Sequence, residues 1–178
     1  MQITDIYKQH SPAIIQWIQT ILNDHSQDKT AISALAHPGL QAYFPASVLE
    51  NSFAIYTGDI PVIPFHAIPE LSFMNQFQPA GITYLDTFFI INEERENTSI
   101  HFHELIHVLQ WKLLGMEKFL LCYGHGLFTK GYRDSPLERM AFDLESRFSD
   151  GEIFNAPEAV FELIRPIQKL AEELSGIK

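Results

Sequence analysis

Cysteine is almost missing from this chain. Cys122 is the only one in 178 residues, so no disulfide can close within the chain and a disulfide-stapled secreted scaffold is excluded. Cationic residues are scarce as well: 12 Lys and Arg stand against 22 Asp and Glu, a net charge of −10. Such a surface repels phosphate backbones and anionic lipid, so neither nucleic acid nor membrane is expected as a partner. No apolar stretch approaches the roughly 20 residues that span a bilayer. Residues 1–10 lack a basic start followed by an apolar run, so no secretory signal is expected, and with the lone thiol this points to the cytoplasm. Repeats and low-complexity tracts are absent too. With 46% hydrophobic and 19% charged residues, the composition is that of one globular domain rather than a disordered chain.

The pattern of what is present predicts an α+β fold: a mainly helical single domain, residues 1–178, with a small sheet packed on a central helix. Within it, 1–80 form a helical and proline-rich N-terminal part, 81–150 the core around the central helix, and 151–178 a C-terminal helix. Ser11-Pro12 opens a first helix over residues 11–22, with Ile14, Ile15, Ile18, Ile21 and Leu22 on one face. A short helix is expected over 30–36. Six prolines punctuate 38–80, so long helices are excluded there, a strand is expected over 53–57, and 60–65 reads as an extended edge. Residues 81–92 read as one strand, rich in β-branched and aromatic side chains. A helix follows over 99–114, apolar nearly all round and therefore buried, with Asn97 to Ser99 offering N-caps and Gly115 a stop. Asn97-Thr98-Ser99 also fits the glycosylation sequon, but a helix cap is the better reading. Further helices are expected over 116–130, from Ser135-Pro136 onward, and over 156–174, where Pro166 kinks or divides the last one.

His103-Glu104-Leu105-Ile106-His107 carries the chemistry. On a helix, residues four apart share one face, so two imidazoles can hold one metal ion. Glu104, next to His103, can then reach a metal-bound water rather than the metal. Zinc lowers the pKa of such a water, and Glu104 would accept its proton. The pattern arises by chance in roughly one chain of this length in a hundred. Its setting in a buried helix, where two histidines and a glutamate need partners, strengthens it. The competing reading is a pair of hydrogen-bonded core histidines. An open zinc site usually takes three protein ligands. Gln110 and Leu113 stand where the metzincin pattern needs glycine and histidine, so that class is excluded. Glu138 is the best third ligand, at the border of a core stripe; its competing role is to close a capping box with Ser135. Asp143, Glu145 and His125 are the alternatives. Tyr132 is the first choice as oxyanion donor, ahead of Tyr123, Arg133 and His125. His101 is expected to cap or pack, and His10, His25, His37 and His66 have no assigned role.

From His103 to Gln110 and then from Gly131 to Ala141, the chain resembles the small gluzincin-type zinc metallopeptidases. In these, H-E-L-x-H-V-x-Q lies on one helix and Tyr-x-x-(Asn/Ser)-Pro announces a second helix bearing a glutamate. The resemblance covers residues 80–145. It implies a zincin-like fold, Zn²⁺ as cofactor, His103, His107 and Glu138 as metal ligands, Glu104 as general base, and a peptide or protein as substrate. Residues 81–91 are similar to the edge strand of those enzymes, on which a peptide would lie antiparallel. The alternative is a non-catalytic zinc-binding or interaction protein. A third possibility is that residues 38–80 occupy the groove.

Overall fold

In a computed structural model, residues 3–64 and 79–176 are described. They form a mainly helical α+β domain with one four-stranded mixed sheet. The first helix, α1 (Ile3–Asp24), begins earlier than expected, because Pro12 does not sit at its start but inside it. Proline cannot donate to the carbonyl four residues back. The Ser11 hydroxyl donates to that Lys8 carbonyl instead, at 3.3 Å, so the helix runs on.

The helix expected over 30–36 is not formed. Thr30–Ala31 is a short strand, β1, and a single 3₁₀ turn, Ile32–Ala34, follows. The backbone there pairs with β2 (Phe53–Thr57) in antiparallel register, Thr30 opposite Ala54. Between them lie a 3₁₀ turn, Leu40–Ala42, and a short helix, α2 (Ala46–Glu50); among the described residues no long helix interrupts the proline-rich stretch. Residues 60–64 lie outside any regular element, and the rest of that extended segment falls outside the described residues.

The strand expected over 81–92 is two strands. β3 (Gly81–Tyr84) and β4 (Thr87–Ile91) form a hairpin that turns at Leu85-Asp86. Leu85 has φ 61°, a left-handed conformation that usually calls for glycine. The sheet order is β1-β2-β4-β3, with β2 and β4 parallel. β4 is therefore central, and residues 87–90 are buried, as a strand covered on both faces should be. Both of its edges are paired, which rules out a peptide docking along 87–91. Among the described residues, only β3 offers a free edge near the centre of the domain.

Behind this sheet lies α3 (Thr98–Leu114), buried on nearly every face. The Asn97 side chain caps it by accepting from Ser99 N at 3.1 Å. Phe102 stacks on Phe148 at 4.5 Å and 14°, with Tyr43, Phe44 and Phe154 around them; this aromatic nest fixes α3 against the later helix that carries Phe148. Next come α4 (Met116–Lys130), α5 (Pro136–Ser149), α6 (Ala156–Leu163) and α7 (Arg165–Ser175), the last two divided just before Pro166. Gly124 is where α1 meets α4: a Cβ there would lie 1.9 Å from the Tyr7 ring, so only glycine lets the ring in. Among the described residues, no helix is long and apolar enough to cross a membrane.

Candidate metal centre

The centre of α3 presents His103 and His107 one turn apart, and α5 brings Glu138 to meet them. The three side chains are buried, with 5%, 6% and 2% of their surface exposed, and their ligand atoms all lie within 4.8 Å of one another. The two Nε2 atoms are 3.1 Å apart, and Glu138 Oε2 lies 3.4 Å from one and 3.5 Å from the other.

The other side of each ring decides what Nε2 can do. The Gln110 amide nitrogen donates to the Leu137 carbonyl at 2.9 Å, which turns its oxygen toward His107 Nδ1 at 2.8 Å. That nitrogen must then carry the hydrogen. His103 Nδ1 faces the Glu145 carboxylate at 3.0 Å and is a donor for the same reason. In the neutral rings both Nε2 atoms are therefore lone pairs. Glu138 Oε2 adds another and has no hydrogen-bond partner of its own. Three buried lone-pair atoms converging on one point require a cation among them, either a proton or a metal.

The donor set fits zinc. Donors at roughly 2.0–2.2 Å from one ion at tetrahedral angles stand about 3.3–3.5 Å apart, close to the separations found here. Without a metal, protons take that place. Burial opposes an imidazolium at His103, but the Glu138, Glu145 and Glu104 carboxylates override it and hold its pKa up at about 10; the His107 pKa is raised in the same way, chiefly by Glu138. Burial raises the Glu138 pKa, and the two imidazoles reverse it, keeping the carboxyl well below its usual range.

Compared with family models, curated proteins and solved structures, the chain finds no match.

Glu138 does not close a capping box: Ser135 is the N-cap of α5, yet its hydroxyl makes no cap bond. The glutamate turns inward instead, where Tyr123 donates to its Oε1 at 2.8 Å. Burial and the neighbouring Glu138 charge push the Tyr123 pKa far up, so the phenol stays a donor. The alternatives for the third place lie elsewhere. Glu145 holds His103 from outside the cluster. Asp143 pairs with Arg139 at the surface, and His125 is not in the cluster.

Glu104 is buried beside the cluster but is not part of it. The Thr83 hydroxyl donates to its Oε2 at 2.6 Å, and Trp111 Nε1 ties the same strand to α3 by donating to Thr83 O at 3.1 Å. Burial raises the Glu104 pKa, against the pull of His107 and His103. Glu104, His107 and Glu138 share a cavity of about 90 Å³ with Tyr132 and an apolar wall that includes Ile82 and Leu127. Val62, Ile63 and Pro79 of the proline-rich segment reach the same wall; residues 65–78, His66 among them, lie outside the described residues. Tyr132 lines this cavity, whereas the Arg133 guanidinium lies over the Phe142 ring at 5.0 Å.

His101 packs away from the centre: Nδ1 donates to Asn97 O at 2.8 Å and its ring lies 3.7 Å from that of His37. Sequence reasoning gave no role to Gln110, Thr83 or Gly81. Gln110 carried a usable signal, a buried amide three residues after His107 on an otherwise apolar helix. Thr83 and Gly81 carried none, because only the hairpin brings them to Glu104.

Proposed function

We propose that this chain is a zinc-dependent peptidase of the gluzincin type, built on a zincin-like fold. The observation that carries the reading is Glu104: a second buried carboxylate, outside the three-residue cluster, that faces the same cavity as two of its members. A purely structural metal site has no use for it. His103, His107 and Glu138 would hold the ion. Zinc bound there supplies a Lewis acid and an acidified water. The Thr83 hydroxyl occupies Oε2 of Glu104, which leaves Oε1 to accept a proton and return it to the leaving amine. The raised pKa of Glu104 favours that exchange near neutral pH. Tyr132, on the wall of the same cavity, would donate to the oxyanion. The substrate would be a peptide, and the edge of β3 that no described strand pairs with is the backbone it would join. The scarcity of cysteine and of basic residues favours a cytoplasmic enzyme with no nucleic-acid or membrane partner.

The test compares zinc-loaded wild type with Glu104→Gln on a library of quenched fluorescent peptides, with zinc content measured for both. Both proteins should hold one zinc. The variant should lose about 10²–10⁴-fold in turnover. A variant that cleaves like the wild type removes Glu104 as the base. A second reading, a zinc protein without turnover, draws support from the small cavity and the burial of all three cluster residues. Bound zinc with no cleavage of any library member selects it.

A further inference from the structure

We infer that Tyr123 is a positioning residue that restricts Glu138 to one oxygen toward the metal; this rests on the metal-site reading above. An imidazole offers a metal a single lone pair once its other nitrogen is held, as Glu145 and Gln110 hold His103 and His107. A carboxylate is different, because it can present one oxygen or both. The choice falls to its neighbours. Here they divide the two oxygens cleanly: Oε1 accepts the Tyr123 hydroxyl at 2.8 Å, while Oε2 has no hydrogen-bond partner and faces both Nε2 atoms.

Tyr123 is held independently of that bond. Its ring stacks on Phe119 at 5.7 Å and 12°, and Phe119 stacks on Trp111 at 3.8 Å and 15°. The hydroxyl can therefore be removed without releasing the ring. Outer partners of ligands tune a site as much as the ligands do. The effect expected here is on coordination number: with Oε1 occupied by the phenol, the second oxygen cannot fill the position that a water or a substrate carbonyl needs. Removing the hydroxyl takes away the donor that holds Oε1 at 2.8 Å, and that oxygen can then turn to the metal. The Tyr123 hydroxyl is thus committed to the protein and does not serve substrate.

Cobalt(II) as a visible probe tests this, because four-coordinate cobalt absorbs several-fold more strongly than five-coordinate cobalt. Metal-stripped wild type and Tyr123→Phe are each loaded with one equivalent, with circular dichroism to compare their folds. The wild type should give the intense spectrum, and Tyr123→Phe should lose several-fold in intensity. X-ray absorption of the zinc forms should show one more oxygen in the variant. Superimposable spectra at equal cobalt occupancy overturn the role of Tyr123 and leave the metal site standing. A weak, five-coordinate spectrum in the wild type overturns it as well. Failure of the wild type to take up cobalt overturns the metal site and this inference together.

Discussion

Adding one methyl group at Gly81 should disable the site without touching the metal. Gly81 opens β3 opposite Ile90, and a Cβ built on it would lie 2.5 Å from Glu104 Oε1, 3.0 Å from its Cδ and 3.2 Å from its Cγ. Retreat of the Glu104 side chain has a cost: the residue is 4% exposed, and its other oxygen is held by Thr83 at 2.6 Å. In Gly81→Ala either the carboxylate swings away from Thr83 or the strand shifts off α3. Overpacking of this kind costs about 1–3 kcal/mol. For a chain of this size that lowers Tm by about 2–12 °C. Moving a catalytic group by about 1 Å costs on the order of 10²-fold in rate, and zinc content should stay at one because Glu104 lies outside the cluster. Calorimetry, metal analysis and kcat/KM on a cleaved peptide read the three effects separately. Combining Gly81→Ala with Glu104→Asp, whose shorter side chain removes the contact, should recover stability non-additively. Normal melting and normal turnover in Gly81→Ala would refute the close approach of β3 to Glu104.

Three further outcomes are expected. Glu138→Gln should abolish the zinc-dependent rise in Tm, which in the wild type at a free zinc concentration about 100-fold above Kd is worth about 2.7 kcal/mol; an equal rise in both would move the third ligand elsewhere. The metal-free protein should lose stability as pH rises from about 6.5 toward 10. His103 has a folded pKa raised to about 10, so its contribution is complete below the unfolded value of about 6.5 and disappears through the folded one. Zinc affinity should strengthen over the same range as protons stop competing, and flat melting and binding profiles would contradict the shared-proton cluster. Gly124→Ala should destabilise by about 1–3 kcal/mol through contact with Tyr7, and Tyr7→Ala in the same chain should relieve that added penalty; additive effects in thermal melts would show that α1 and α4 do not meet there.

Local signals were legible wherever the chain announces its own boundaries. Asn97 and Gly115 frame α3, Ser135-Pro136 opens α5, and Pro166 marks the division between α6 and α7. The cluster was legible for the same reason: His103 and His107 are one helical turn apart, and Glu138 follows a clear helix start. What stayed hidden depends on tertiary contact. Leu85-Asp86 carries no glycine or asparagine to betray a hairpin, so β3 and β4 read as one strand. Pro12 looked like a helix start, because the Ser11 hydroxyl that serves the Lys8 carbonyl leaves no mark in hydrophobic periodicity. Gly124 has low helix propensity and no partner visible in the sequence, whereas in the fold it makes room for Tyr7, 117 residues earlier in the chain. The partners that orient the site, Glu145 for His103 and Tyr123 for Glu138, are 42 and 15 residues away from the groups they hold, and no spacing rule connects them.

The central claim is that His103, His107 and Glu138 together bind one divalent metal. X-ray absorption at the zinc edge, on protein stripped of metal and reloaded with one equivalent, tests it most directly. The expected result is a four-coordinate ion with two imidazole nitrogens and two oxygens at about 2.0–2.2 Å. Zinc that remains hydrated in solution, or is bound without imidazole scattering, would contradict the claim.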